Sequence, residues 1–198
     1  MPVSRTKQVD AGLRYAVTPQ LTFVAGVFEV EKPYFNVNAA NVFGPLGAVS
    51  HRGIEVSLAG QVLTEGLRIV SGMVLIQPRI SGDAVERGII GRTATGVRPR
   101  TVLLSVQYQP KVWRGFGIDG RITHYGPQHA HQDNLYKIQG SSTLDLGARY
   151  NFRVSDVPAS VRFQAQNITD TYQFMLSPTG NFVVRPGRRF TLTLAADF

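Results

Sequence analysis

The chain has 198 residues, 43% of them hydrophobic, with 21 Lys and Arg against 13 Asp and Glu and no Cys. Without Cys there is no disulfide framework, no thiolate metal site and no thiol nucleophile. The net charge of +8 would suit a nucleic-acid partner if it were clustered, but Arg and Lys recur singly, the longest run being Arg188-Arg189. Such a spread reads as a polar face repeated along many strands, and no nucleic-acid partner is expected.

The segment Met1 to Lys7 has no apolar stretch and no small-residue cleavage site, so no secretory signal peptide is read there. An exported protein would then need more chain upstream. No apolar run reaches the ~18 to 20 residues of a membrane helix. Period-two alternation dominates instead, the mark of strands with one apolar and one polar face. Leu13, Tyr15 and Val17 oppose Arg14. Residues 20–31 are apolar on both sets and leave their register open. Ile54, Val56 and Leu58 then oppose Glu55 and Ser57, and residues 67–77 are again apolar on both sets. Val102, Leu104, Val106 and Tyr108 oppose Ser105 and Gln107, while Phe116, Ile118, Gly120 and Ile122 oppose Asp119, Arg121 and Thr123. Leu144 to Phe152, Val161 to Ala165 and Phe190 to Phe198 repeat the split. In the seven clearly alternating segments no charged residue falls on the apolar set.

This predicts nine strands, and the connections between them have a rhythm. Residues 18–20, 61–66, 110–115 and 153–157 read as short turns, whereas 33–48, 81–99, 127–142 and 171–187 read as long connections. Short turns on one side and long loops on the other are expected of a transmembrane β-barrel. Hydrocarbon cannot hydrogen-bond the backbone, so spanning strands pair on both sides, present apolar side chains to lipid and turn polar ones inward. A half-buried soluble sheet also alternates, so a soluble β-sheet binding protein is the competing reading. A small outer-membrane barrel enzyme is a further alternative.

Four segments carry a family resemblance. His51-Arg52-Gly53-Ile54-Glu55-Val56-Ser57-Leu58-Ala59-Gly60 is similar to the Gly-(Ile/Val)-Glu strand of TonB-dependent siderophore receptors. Gln166-Asn167-Ile168-Thr169-Asp170-Thr171-Tyr172 resembles the family's Asn-(Leu/Ile)-x-Asp-x-x-Tyr strand end, with Tyr172 one place early. Lys7 to Tyr15 and the terminal strand Pro186 to Phe198 also look like family strands. The resemblance implies an all-β fold, an antiparallel transmembrane β-barrel segment forming about nine strands of a barrel of roughly 22. Residues 1–198 would be the C-terminal portion, with plug domain and signal peptide absent. Nine antiparallel strands cannot close on themselves without a parallel seam, which leaves two edges unpaired. The implied function is outer-membrane import of a ferric siderophore, with the TonB complex acting through the missing plug, outer-membrane lipid around the barrel, and the barrel assembly machinery engaging Phe198. If Phe198 ends in the periplasm, every long connection lies outside the cell.

Within those connections, Tyr34, Phe35, Tyr136 and Phe182, and further Phe43 and Phe174, are candidate siderophore contacts, or members of an interfacial aromatic girdle. Arg79 and Arg92, with Arg87, Arg98 and Arg185, would offset ligand charge. His124, His129 and His131 offer a His-x-His spacing, but with no carboxylate motif beside them no metal site and no cofactor is expected. No nucleophile elbow, paired-acid motif or phosphate loop gathers the Ser, His and Asp residues, so no enzyme activity is expected.

Overall fold

The computed structural model describes residues 4–38, 40–62, 65–177 and 179–197. Nine long strands form one antiparallel sheet: β1 (Lys7–Thr18), β2 (Leu21–Val37), β3 (Phe43–Gln61), β4 (Leu67–Ser81), β5 (Arg100–Tyr108), β6 (Phe116–Tyr125), β9 (Ser141–Val154), β10 (Val157–Gln166) and β13 (Arg189–Ala196). Two small hairpins, β7 (Gln128–His129) with β8 (Lys137–Ile138) and β11 (Phe174–Leu176) with β12 (Phe182–Val184), sit in the connections, as does a one-turn helix α1 (Asp83–Glu86). The nine long strands follow one another in chain order, and β1 and β13 each pair on one side only. No helix among the described residues is long and apolar enough to cross a membrane, which says nothing of crossing by strands.

Residues directly opposite in an antiparallel ladder share a face. Following the pairs Leu13↔Ala25↔Val56↔Met73↔Val102, and Leu104↔Ile122↔Leu144, then Leu146↔Ala165↔Phe190, places all seven alternating apolar sets on one face. The same registers resolve the two ambiguous strands. Phe23, Ala25 and Val27 of β2 and Ile69, Met73 and Leu75 of β4 join the apolar face, leaving Val24, Phe28, Val30, Val74 and Ile76 on the other.

Among the described residues no second layer covers the apolar face. Val9 is 75% exposed and Leu194 73%, and among the described residues no large side chain is fully buried. A soluble sandwich would pack a second sheet or helices there. A continuous uncovered apolar face marks a surface made for a nonaqueous partner. Its two margins differ. Toward the short turns it ends in aromatics: Tyr15 faces Phe23, Phe116 faces Tyr150, and Trp113 lies edge-on to Tyr108 at 5.0 Å. Toward the long connections it ends in polar groups, with Arg52 bonded to Glu29 at 2.8 Å and Gln77, Arg100 and His124 at matching levels.

The short turns follow the predicted rhythm. Pro19-Gln20 closes β1–β2, a single 3-10 turn, Lys111–Trp113, joins β5 to β6, and Ser155-Asp156 closes β9–β10 with φ of 47° and 71°. Positive φ at both central residues is the hairpin turn whose twist suits the flanking strands. The expected turn at Leu63-Thr64-Glu65 falls partly, at residues 63 and 64, outside the described residues, and so does Phe198.

One expected loop is not there. Residues 33–48 do not form a long connection, because β2 runs on to Val37 and β3 starts at Phe43, paired from Lys32↔Val49 up to Val37↔Phe43. Pro33, Gly44, Pro45 and Gly47 read as loop by composition. Cross-strand pairing overrides them, a bulge between Tyr34 and Phe35 absorbs the mismatch, and Phe35 stacks on Phe43 at 6.1 Å. The Asn38 side chain closes the tip by accepting the Ala40 and Val42 N–H groups at 2.9 and 3.0 Å. At ~3.4 Å per residue the 17 residues of β2 extend about 55 Å, well past the ~30 Å of a hydrocarbon core.

Candidate functional site

All the long connections leave the sheet at one end, and two of them fold over the mixed face. The connection 82–99 is held there by a small apolar cluster, Val49, Ile80, Ile90 and Ala94, with Tyr34, Leu46 and Val85 packed against it. Tyr34 therefore serves packing as well as lining, and its hydroxyl accepts a hydrogen bond from Asn36 Nδ2 at 2.9 Å. Beside it, Tyr34 and Phe35 line a cleft of about 410 Å³ with Lys32 and His51.

Arg79 and Arg92 come together, but elsewhere. Both are exposed and line an open groove with Gln77, Glu86 and Pro99. Thr93 bridges to Arg79, and the Arg92 carbonyl accepts the Ile80 N–H at 2.8 Å. By its place on β4, Arg79 shares the parity of Leu75 and Gln77, so it belongs to the apolar face's upper margin and not to the mixed face.

The connection 126–140 docks on 82–99 through one side chain and two backbone bonds, the Gly91 N–H to the Gln132 carbonyl at 2.7 Å and the Gly96 N–H to the His129 carbonyl at 3.0 Å. Asn134, at φ 63°, accepts the Thr93 N–H through Oδ1 and donates from Nδ2 to the Thr93 carbonyl, both at 2.8 Å. Gly91 sits against it, and a Cβ there would come within 2.2 Å of the Asn134 side chain. Tyr136, 65% exposed, lies edge-on to His131, whose Nδ1 is 2.9 Å from Asp133. The Leu135 N–H holds the Asp133 carboxyl below its ordinary range. The three histidines do not converge: His124 meets Ser142 Oγ on the apolar face's margin, and His129 Nδ1 donates to the Asn134 carbonyl.

The last connection is pinned by the motif 166–172. Asn167, 7% exposed, accepts the Thr171 N–H at 2.9 Å, donates to the Thr171 carbonyl at 3.1 Å, and donates its own N–H to Asp145 at 2.8 Å. Asp170 accepts the Arg188 N–H at 2.8 Å. Asn167 and Asp170 both have positive φ, which Asn and Asp tolerate best among residues with a Cβ. Beyond the clamp, Phe182 lies exposed against Phe174, which in turn meets Tyr172 edge-on at 5.3 Å.

The clamp swings Arg185 over the mixed face, where a cleft of about 340 Å³ opens between β6, β9 and the last connection. Its centre is Tyr125. The Arg98 guanidinium carbon lies 3.9 Å from the ring centroid and that of Arg185 5.2 Å. Arg121, Arg189 and Asp145 line the same cleft. Arg185 is held by buried Gln173, whose carbonyl accepts its N–H at 2.9 Å, and Arg189 is held by Gln166 Oε1. Reading the sequence brought out Arg98 and Arg185 but missed Tyr125, Arg121 and Arg189. The alternation 117–125 carried the signal, since Tyr125 shares the polar set with Asp119, Arg121 and Thr123.

A family model described as TonB dependent receptor-like, beta-barrel matches residues 4–168. The ferrichrome receptor FcuA of Yersinia enterocolitica is 25% identical over 99% of this chain and 26% of its own. Among solved structures, the sheet superposes on BauA, the ferric preacinetobactin receptor of Acinetobacter baumannii, with a TM-score of 0.87 at 25% identity, over 100% of this chain and 30% of that one. The siderophore receptor PiuA of the same organism gives a TM-score of 0.80 at 16% identity, over 96% of this chain and 28% of that one. The chain spans about a quarter of the length of the curated relative it matches.

Proposed function

The chain belongs to the TonB-dependent receptor-like β-barrel family, and on that premise we propose that it forms the C-terminal wall and part of the outer mouth of a receptor that imports ferric siderophores across the outer membrane. The family consists of transport receptors, and no catalytic step is assigned. The observation that carries the reading is the single sheet with one continuous, uncovered apolar face and a mixed face onto which the long connections fold. In this reading the apolar face meets lipid, the aromatic margin marks the periplasmic interface, and the mixed face lines the lumen.

Residues 1–198 supply nine strands of the barrel, and the rest of the receptor's length supplies the remaining strands, the plug and the segment that engages the TonB complex. Phe198 serves the assembly machinery. The ligand-facing residues are drawn from the connections 82–99, 126–140 and 167–188 and the β2–β3 tip, including Tyr34, Phe35, Arg92, Tyr136 and Phe182, whereas Arg79, on the margin of the apolar face, is not among them. Two of the relatives named above are receptors for different chelates, ferrichrome and ferric preacinetobactin, so kinship leaves the chelate open.

The test is topological and uses the full-length receptor. It is expected in the outer-membrane fraction, with epitope tags at Asp83 and Gln132 reachable by antibody on intact cells and a tag at Ser155 reachable only after permeabilisation. A product that stays soluble, or a Ser155 tag exposed while the other two are hidden, overturns the reading.

A further inference from the structure

The cleft at Tyr125 gathers basic groups against a single carboxylate. Arg121, Arg185 and Arg189 line it, Arg98 stacks over the ring of its Tyr125, and the one carboxylate among its lining is Asp145, one of whose oxygens is already occupied by the Asn167 N–H. Elsewhere Arg52, Lys111, Arg153, Arg162 and Arg188 each lie within 4.0 Å of a carboxylate, and those that do not, such as Arg14, Arg68, Arg79 and Arg149, are scattered along the sheet and its margins. Among the described residues none of the four at the cleft does.

Gathering like charges is costly, and the cost is greater where protein walls exclude water. The Tyr125 ring offsets part of it, since a guanidinium over an aromatic face is attracted to the ring quadrupole. Among the described residues the one hydrogen bond made by either guanidinium is Arg185 Nη1 to Gln173 Oε1 at 3.5 Å, which leaves most of their donors without a protein acceptor. Planar forks of this kind match the paired oxygens of a carboxylate or catecholate. The arms are also held in advance, Arg185 by Gln173 and Arg189 by Gln166, so a ligand would not have to order them.

Resting on the siderophore reading above, we infer that the chelate taken at this mouth is a net anion, with catecholate or carboxylate arms, and that one such arm binds between Arg98 and Arg185 at Tyr125. The cleft's volume of about 340 Å³ admits an arm and not a whole chelate, and the neighbouring connections would surround the remainder. A neutral tris-hydroxamate would leave the four charges unrelieved.

The experiment uses the purified full-length receptor in detergent, with binding read by fluorescence quenching for two probes: a ferric tris-catecholate, which is a trianion, and a neutral ferric tris-hydroxamate. The trianion is expected to bind more tightly and to weaken as salt rises. Arg98→Gln and Arg185→Gln are each expected to weaken it about tenfold, the scale of one charged hydrogen bond. Arg185→Lys, which keeps the charge and loses the planar fork, should recover only part of that loss, and the neutral probe should be indifferent to all three. Tighter binding of the neutral chelate overturns the inference, and so do Gln variants that lower the melting temperature but leave trianion affinity intact, since the cleft would then be filled by the receptor's own chain. If the folded receptor binds neither probe, the siderophore reading itself fails and takes the inference with it.

Discussion

The mixed face has two unlike halves. On β2, β3 and β4 it carries mainly Val24, Phe28, Val30, Val74 and Ile76, with Glu55 and Arg68 among them, and Phe28 lies across Gly53 so closely that a Cβ there would come within 2.3 Å of the ring. On β6, β9 and β10 it carries Asp119, Arg121, Arg149 and Arg162, with Arg162 bonded to Asp119 at 2.9 Å over Gly147. The overlying connections follow suit, 82–99 seated on the apolar cluster at Val49 and Ile80, and 167–188 seated by the polar clamp at Asn167. A barrel wall can thus anchor its loops in two ways. Apolar packing tolerates small shifts, whereas a hydrogen-bonded clamp sets the exact angle at which Arg185 arrives.

The largest effect that sharpens this contrast comes from comparing faces. Leu146→Arg, mid-strand on the apolar face, is expected to cost ~2–4 kcal/mol if that face meets lipid. Ser105→Glu, on the mixed face directly opposite Arg121, should change stability by less than about 0.5 kcal/mol. Urea titration of the full-length receptor refolded into vesicles measures both, and equal costs would break the two-face assignment.

Next in size is a pair within the apolar half. Gly53→Ala puts a methyl against the Phe28 ring and 2.7 Å from the Leu75 carbonyl oxygen, whereas at Gly72 the nearest atom would be 3.8 Å away. Overpacking at Gly53 is expected to cost ~1–3 kcal/mol, and Gly72→Ala is expected to be close to neutral in the same titration. A silent Gly53→Ala would mean that Phe28 moves freely and that the half is loosely packed.

The smallest global effect should come with the sharpest local one. Asn167→Ala removes one side chain's share of the clamp, about 1–2 kcal/mol by the usual worth of such bonds. Hydrogen exchange is expected to rise across 167–188 and to stay unchanged across 82–99. Spread of the increase to 82–99 would show that the two anchors are one cooperative unit.

Some of the site was legible beforehand. The motif 166–172 stood out as a resemblance to a family strand end carried by seven consecutive residues, and the structure adds that its Asn167 and Asp170, at positive φ, form a local clamp. Tyr125 did not stand out, because its meaning depends on Arg98 and Arg185, which lie 27 and 60 positions away along the chain. The long loop expected at 33–48 failed for a related reason: Pro33 and Pro45 argue for a loop locally, and only the partner strand supplies the pairing that makes them strand.

By itself the sequence determined that the chain is a run of antiparallel strands with one apolar face, because alternation is a property of adjacent residues and seven strands carry it unambiguously. It could not determine which set of β2 and β4 faces the apolar side, since both sets are apolar and a shift of one residue exchanges them. The tertiary structure decided that through cross-strand register, and with it the division of the mixed face into packed and charged halves. It also decided where the arginines gather, because a charge cluster is made by folding distant connections onto one another, and local pattern holds no record of that distance.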